Sequence, residues 1–235
     1  MPSGNLYLIP VPLSGGEAIS LSLQSIEVTH TLTHFVVERA KPARAFLKSI
    51  KHPIPLQEII IHEMPEKPDA VFHKMIIHEI LKGVNMGLVS EAGLPCIADP
   101  GFEIVNLAYQ HKIKVIPFSG PNSMMMALMA SGLNGQQFQF HGYLPAKKEM
   151  LRDKLIKLVN EIKKTGITQI FMETPYRNKQ VLEMVKHNIP ADLNFCVASN
   201  LSSADQNIQT KKIREWKEEE FMVHYDRPAI FIIGK

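Results

Sequence analysis

Residues Asn85–Val89, NMGLV, run directly into VSEAGLPCIADPG (Val89–Gly101), and this junction limits the available folds more than any other stretch of the chain. The apolar run reads as a buried parallel strand, which Gly87 weakens slightly. Asp99 before Pro100 predicts a helix N-cap with proline in the first turn, where its missing N–H costs nothing. A glycine-rich loop would then join the C-terminal end of a strand to the N-terminus of a helix. In open α/β sheets, ligands bind at such points because main-chain donors converge there. An ordinary capped strand-to-helix connection satisfies the same pattern.

Strand-like and helix-like segments alternate along most of the 235 residues, which predicts parallel or mixed sheets with helices on their faces. Leu6–Ile9, His34–Val37, Gly87–Val89 and Lys114–Ile116 read as short buried strands. Phe72, Ile76 and Ile80 mark one helical stripe, and Ile104, Leu107 and Ala108 another. Pro117, Gly120 and Pro121 then cluster ahead of an apolar helix over Met124–Ala130. This predicts an N-terminal α/β domain over residues 1–117, a linker over 118–123 and a C-terminal α/β domain over 124–235. In the second half, Phe138–Tyr143 and Thr168–Met172 read as strands, with Leu151, Leu155, Leu158 and Ile162 on one helix face between them. Thr174 and Pro175 repeat the cap-plus-proline signal before a helix carrying Val181, Leu182 and Val185 inward. Met124, Met125, Met126 and Met129 read as packing residues at a helix interface.

Several chemistries are disfavoured. No apolar run approaches the roughly 20 residues that cross a bilayer. The opening MPSGNLYLIPVPL has no basic segment and is interrupted by Pro10 and Pro12, so a cytoplasmic protein is expected. Cys96 and Cys196 build no disulfide framework and read as small buried hydrophobes. His30 and His34, or His73 and His78, lack a third ligand, and no metal site is expected. The formal charge is +3, and residues 121–235 carry 16 basic against 12 acidic side chains, making this half the better candidate for touching phosphate. Lys147 and Lys148 either do so or are simply solvated. The phosphate loops G-x-G-x-x-G and G-x-x-x-x-G-K-[ST] are absent, which argues against a Rossmann dehydrogenase, a kinase and the commonest methyltransferase fold.

The loop SEAGLPCIADPG resembles the S-D-A-G-x-P and D-P-G segments of the tetrapyrrole methylase family, in the branch of bacterial small-subunit ribosomal RNA cytidine 2′-O-methyltransferases. LYLIPVPL (Leu6–Leu13), IKVIPFSGPNS (Ile113–Ser123), FQFHGYLPAK (Phe138–Lys147), IFMETPYR (Ile170–Arg177) and RPAIFIIGK (Arg227–Lys235) resemble further segments of that branch, in the same order. The resemblance implies two α/β domains with a cofactor cleft between them, S-adenosyl-L-methionine as methyl donor, and a homodimer. It implies cofactor contacts at Pro10, Pro12, Ser90, Glu91, Ala92, Gly93, Leu94, Pro95, Ile97, Asn122, Ser123, Met172, Ala198 and Ala229. Glu91 stands where the family usually has aspartate.

Methyl transfer from a sulfonium is an in-line displacement, so the protein's main work is to align donor and nucleophile. A ribose hydroxyl acceptor also needs a group or a field that assists loss of its proton. Glu38, Arg39, Ala40 and Lys41 stand where the ribosomal RNA enzymes typically show E-D-T-R, and Glu38, Arg39 and Lys41 are the catalytic candidates. His62 and Glu63 are candidate stand-ins for a histidine- and asparagine-bearing stretch of those relatives. Glu173 and Arg177, four apart where a strand turns into a helix, form either an ion pair lining the cleft or a surface pair of little consequence. Three readings are therefore open: a methyltransferase with RNA as acceptor, a methyltransferase acting on a small molecule such as a tetrapyrrole, and a non-catalytic relative that only binds the cofactor.

Overall fold

In the computed structural model, which describes residues 2–13 and 20–235, the chain divides into one compact unit ending at Asn122 and a second over Ser123–Lys235. The first is built on five parallel strands: β1 (Leu6–Ile9), β2 (His34–Val37), β3 (Ile60–Glu63), β4 (Met86–Val89) and β5 (Val115–Pro117), in the order β3-β2-β4-β1-β5. Apolar runs as short as MGLV hold such a sheet because both faces are covered, and all four residues of β4 are buried. The covering helices are α1 (Leu23–Thr31), α2 (Ala40–Ser49), α3 (Ala70–Leu81) and α4 (Phe102–Gln110). Ser22 and Asp69 cap α1 and α3 by accepting from the amides of Ser25 and of Val71 and Phe72. Ile9, Phe35, Val37 and Leu47 pack on one side of the sheet, and Leu6, Val36, Ile76, Ile80, Leu88 and Ile104 on the other.

Asp99 does not cap α4, contrary to the pattern expected of Asp-Pro. Gly101 occupies that position at φ 119 and supplies no side-chain cap. Ala98 is also left-handed, at φ 62, so the chain makes a further turn and the helix starts later. Only glycine fits at 101, since a Cβ there would lie 2.8 Å from Leu88 Cδ2. The carboxyl of Asp99 is thereby left for other work.

The second unit pairs β6 (Phe138–Tyr143) parallel to β7 (Thr168–Glu173), then runs antiparallel through β10 (Ala229–Gly234), β8 (Asn194–Ser199) and β9 (Asn207–Lys212). Helices α5 (Ser123–Ser131), α6 (Lys148–Thr165), α7 (Asn178–Asn188) and α8 (Glu218–Met222) complete it. Leu151, Leu155, Leu158 and Ile162 of α6 meet Val181, Leu182 and Val185 of α7 over Phe171, Phe195 and Phe231. Thr174 and Pro175 open a single 3₁₀ turn over Pro175–Arg177, and α7 begins only at Asn178. Met129 is 84% exposed, so it is not a packing residue of its own unit. Cys196 is fully buried, whereas Cys96 is half-buried and left-handed at φ 67.

Candidate active site

All five strands of the first unit end on one edge, and the connections leave β1 and β4 in opposite directions there. This is where an open α/β sheet leaves a crevice. Two loops meet at it: Val11 N–H donates to Gly93 O at 2.9 Å, and Gly93 N–H donates back to Val11 O at 3.1 Å. The segment after β5 closes onto them. A Cβ on Gly120 would lie 2.2 Å from Pro10 Cβ, so only glycine permits that approach. Pro10, Val11, Gly93 and Gly120 thus bring three chain segments together, and Ser90–Ile97 lies along one side of the meeting point.

Carboxylates gather on the β2 and β4 side of this edge. Glu38 follows β2, while Glu91 and Asp99 follow β4, the strand paired directly with β2. Burial raises the Glu38 carboxyl above its ordinary range and the charge of Glu91 raises it further, although the Glu91 amide donates to it. Asp99 is pushed up to about 6 by burial first and then by the charge of Glu38, against a hydrogen bond from Ser90. Burial likewise pushes the Cys96 thiol to about 11, which leaves it inert as a nucleophile at neutral pH.

A pocket of about 370 Å³ opens beside these groups, lined by Glu38, Arg39, Glu66, His73, Pro100 and Glu103 among others. Arg39 is held by Glu63 and Glu66, each 3.6 Å away. Glu63 also accepts from the amide of Ala40 at 2.7 Å, capping α2 from a neighbouring strand because Arg39 offers no cap itself. Lys41 lies exposed in the first turn of α2 and does not line the pocket. His62 stacks on His34 with ring centroids 6.4 Å apart, and burial lowers its pKa. Of the catalytic candidates, Glu38 and Arg39 therefore reach one cavity.

The loop candidates Pro10, Pro12, Ser90, Glu91, Ala92, Gly93, Leu94, Pro95, Ile97 and Asn122 all belong to the first unit. Ile97 is 48% exposed, an apolar surface beside the carboxylates. In the second unit, Ser123 opens α5, while Met172 and Ala198 both flank Ile230 across the sheet. Ala229 faces the opposite, helix-covered side with Phe231. Met172 and Ala198 thus share a face that Ala229 does not.

Asp99, Glu103 and His73 were not distinguishable as site residues in the sequence. The one available signal, Asp-Pro-Gly, is also the signal of a cap. Among the described residues, no group of three or more His, Cys, Asp or Glu is placed to hold a metal ion, and no helix is long and apolar enough to cross a membrane.

The sequence pattern of the Tetrapyrrole (Corrin/Porphyrin) Methylases matches residues 5–217. A curated relative, Ribosomal RNA small subunit methyltransferase I of Vibrio cholerae, is 30% identical over 210 residues, covering 89% of this chain and 69% of that protein. The protein of the same name from Halalkalibacterium halodurans is 35% identical over 180 residues, covering 77% of this chain and 58% of its own length. Among solved structures, the methyltransferase CobJ superposes with a TM-score of 0.66 at 15% identity, covering 99% of this chain and 95% of that one. Uroporphyrin-III-C-methyltransferase from Thermus thermophilus gives 0.58 at 13% identity, over 99% and 94%. At these identities the two structures speak for the fold alone.

Proposed function

The chain belongs to the tetrapyrrole (corrin/porphyrin) methylase family and is a methyltransferase, and on that premise we propose that S-adenosyl-L-methionine is its donor and a ribose hydroxyl of small-subunit ribosomal RNA its acceptor. Two relatives named for small-subunit ribosomal RNA methylation, at 30% and 35% identity, support the acceptor. One observation carries the chemistry: Glu38 and Asp99, both raised in pKa, stand together beside a pocket wide enough for a single nucleoside.

The residues present suit such a donor. Its amino group and ribose hydroxyls call for carboxylate acceptors, and its adenine for apolar walls. Glu91 supplies the first, and Leu94, Pro95 and Ile97 the second. Pro10, Pro12 and Ser90–Gly93 would hold it through the packed loops. When bound, the sulfonium provides an electrophilic methyl carbon.

The protein's part is alignment and proton removal. For an acceptor hydroxyl to react with that methyl group, a group of the protein would have to take up the hydroxyl proton. A carboxyl titrating at about 6 is mostly ionised at neutral pH, yet more basic than an ordinary aspartate, which suits a general base. Asp99 is the assigned base, its pKa held high by burial first and by the charge of Glu38 second. Arg39, braced by Glu63 and Glu66, would face a phosphate of the acceptor strand.

Transfer of isotope-labelled methyl from S-adenosyl-L-methionine into isolated small ribosomal subunits, followed by digestion to nucleosides, tests this reading. Label in a 2′-O-methyl nucleoside is the expected result. Label in a porphyrinoid ring and none in RNA would replace it with the small-molecule alternative.

A further inference from the structure

The second unit carries a feature that neither the carboxylates nor the cofactor loops use. Arg177 reaches back from the 3₁₀ turn to the segment after β6, and its Nη2 donates to Leu144 O at 3.2 Å and Pro145 O at 3.0 Å. Gln180 Nε2 adds a bond to Ala146 O at 3.1 Å. The ends of the parallel strands β6 and β7 are thereby stapled together. The staple is itself anchored, because Arg177 Nη2 lies 3.1 Å from Glu173 Oε2, and Glu173 is almost wholly buried.

What the staple presents outward is aromatic and basic. Tyr143 precedes the bonded carbonyls and is 56% exposed, and Tyr176 precedes Arg177 and is 79% exposed. Lys147, Lys148 and Lys179 are exposed on the same joined segments. The strand β6 is irregular just before Tyr143, with Gly142 at φ 63. That irregularity is braced from inside. Gln169 is fully buried and donates to Ile167 O, so its Oε1 accepts from His141 Nε2 at 2.7 Å, leaving Nδ1 to accept from Lys154 at 3.1 Å.

Positive charge is in surplus along α6, the helix that starts at this corner. Residues 143–166 hold seven Lys and Arg against three acids, and the rest of residues 121–235 hold nine of each. The whole surplus of that half thus lies on β6's end and α6.

We propose that this corner is a docking surface for a single-stranded stretch of RNA, with Tyr143 and Tyr176 stacking bases and Lys147, Lys148 and Lys179 meeting phosphates. The proposal rests on the reading of RNA as acceptor. Exposed rings need unstacked bases, which a duplex does not offer. Tyrosine also suits a protein interface, but lysine is depleted there, and the two together match a polyanion with exposed bases.

Fluorescence anisotropy with a labelled single-stranded RNA oligonucleotide over a series of KCl concentrations tests it. Lys147→Ala with Lys148→Ala should flatten the slope of log affinity against log salt by about 1.4, since each lost phosphate contact on a single strand is worth about 0.7. Tyr176→Ala should weaken binding by about 5- to 150-fold with little change in slope, and Tyr176→Phe should restore it. Lys163→Ala with Lys164→Ala, about 24 Å along α6 from Lys148, should leave affinity near that of the parent. If the parent binds RNA with a steep salt slope and the Lys147/Lys148 and Tyr176 variants match it, the corner is not the docking surface, while the acceptor reading stands. A parent that binds no RNA removes both, and a preference for duplex that Tyr176→Ala does not alter overturns the corner alone.

Discussion

Arg177 Nη2 stands 3.1 Å from Glu173 Oε2, and the Glu173 side chain is only 1% exposed. The sequence left this pair open between an ion pair of the cleft and an exposed surface pair, and burial excludes the exposed one. Glu173 Oε1 is also occupied, accepting from the amide of Thr174 at 2.8 Å and its hydroxyl at 3.1 Å. Removing one buried charge strands the other, so Arg177→Met should cost about 3–5 kcal/mol in urea unfolding. Adding Glu173→Gln to that variant should recover part of the loss, and a fully additive cycle would contradict the pairing.

Asp99 governs two pH responses of opposite use. As base, it must be ionised, so kcat/KM should rise with pH through about 6 and level off above it. Ser90→Ala removes a hydrogen bond that favours the ionised form, so the midpoint should move to higher pH. Asp99→Asn should lower the rate by about 10²- to 10⁴-fold. Rates measured from pH 5 to 9 with labelled donor decide these three outcomes, which follow from general-base behaviour.

The same carboxyl should weaken the fold at neutral pH. Its folded-state pKa lies above the ordinary 3.8, so its protonated form stabilises the protein below that value, and the benefit disappears as pH rises through about 6. Asp99→Asn should therefore unfold at higher temperature than the parent at pH 7.5, by an amount of order 2 kcal/mol. The advantage should vanish near pH 3.5, where the parent's aspartate is also mostly neutral, which thermal scans at the two pH values can check.

His224 works in the other direction. Its ring is fully buried, with Nδ1 and Ser199 Oγ 2.8 Å apart, and burial lowers its pKa to about 4. The unfolded chain takes up this proton near pH 6.5 and the folded chain does not, so stability should fall as pH drops from about 6.5 toward 4. His224→Gln should flatten that part of the stability–pH curve in urea titrations, whatever it does to absolute stability.

Gly120→Ala probes the loop junction without touching a charge. Its Cβ would lie 2.2 Å from Pro10 Cβ and 2.9 Å from Pro10 Cγ, so the two segments must separate. A cost of about 1–3 kcal/mol in stability is expected. S-adenosylhomocysteine binding, followed by calorimetry, should weaken by at least about tenfold, equivalent to about 1.4 kcal/mol. Gly135→Ala, whose Cβ would meet Leu128 at an ordinary 3.9 Å, serves as the control.

Much of this architecture is legible in local patterns. Apolar runs such as LYLI, HFVV and MGLV mark strands, and the spacing of Leu151, Leu155, Leu158 and Ile162 marks α6, because side-chain periodicity reports which face is buried. Strands β3 and β9 carry little such signal. IIHE and NIQTKK are half-polar edge strands, with one backbone edge unpaired and less apolar surface to bury. Asp99 was misread for a related reason: Asp-Pro describes a local cap, but the chain turns left-handed at Ala98 and again at Gly101, where the backbone packs closely on Leu88.

The sequence by itself determined the class of fold, the loop wording that marks the methylase family, and the positions where strands end. Only the tertiary structure decided that Glu38 and Asp99 share an environment, because they lie 61 positions apart and meet only since β2 pairs with β4 rather than with β1. Register and strand order are non-local, and desolvation and the field of one carboxylate on another act through space, so neither leaves a mark in the neighbouring residues.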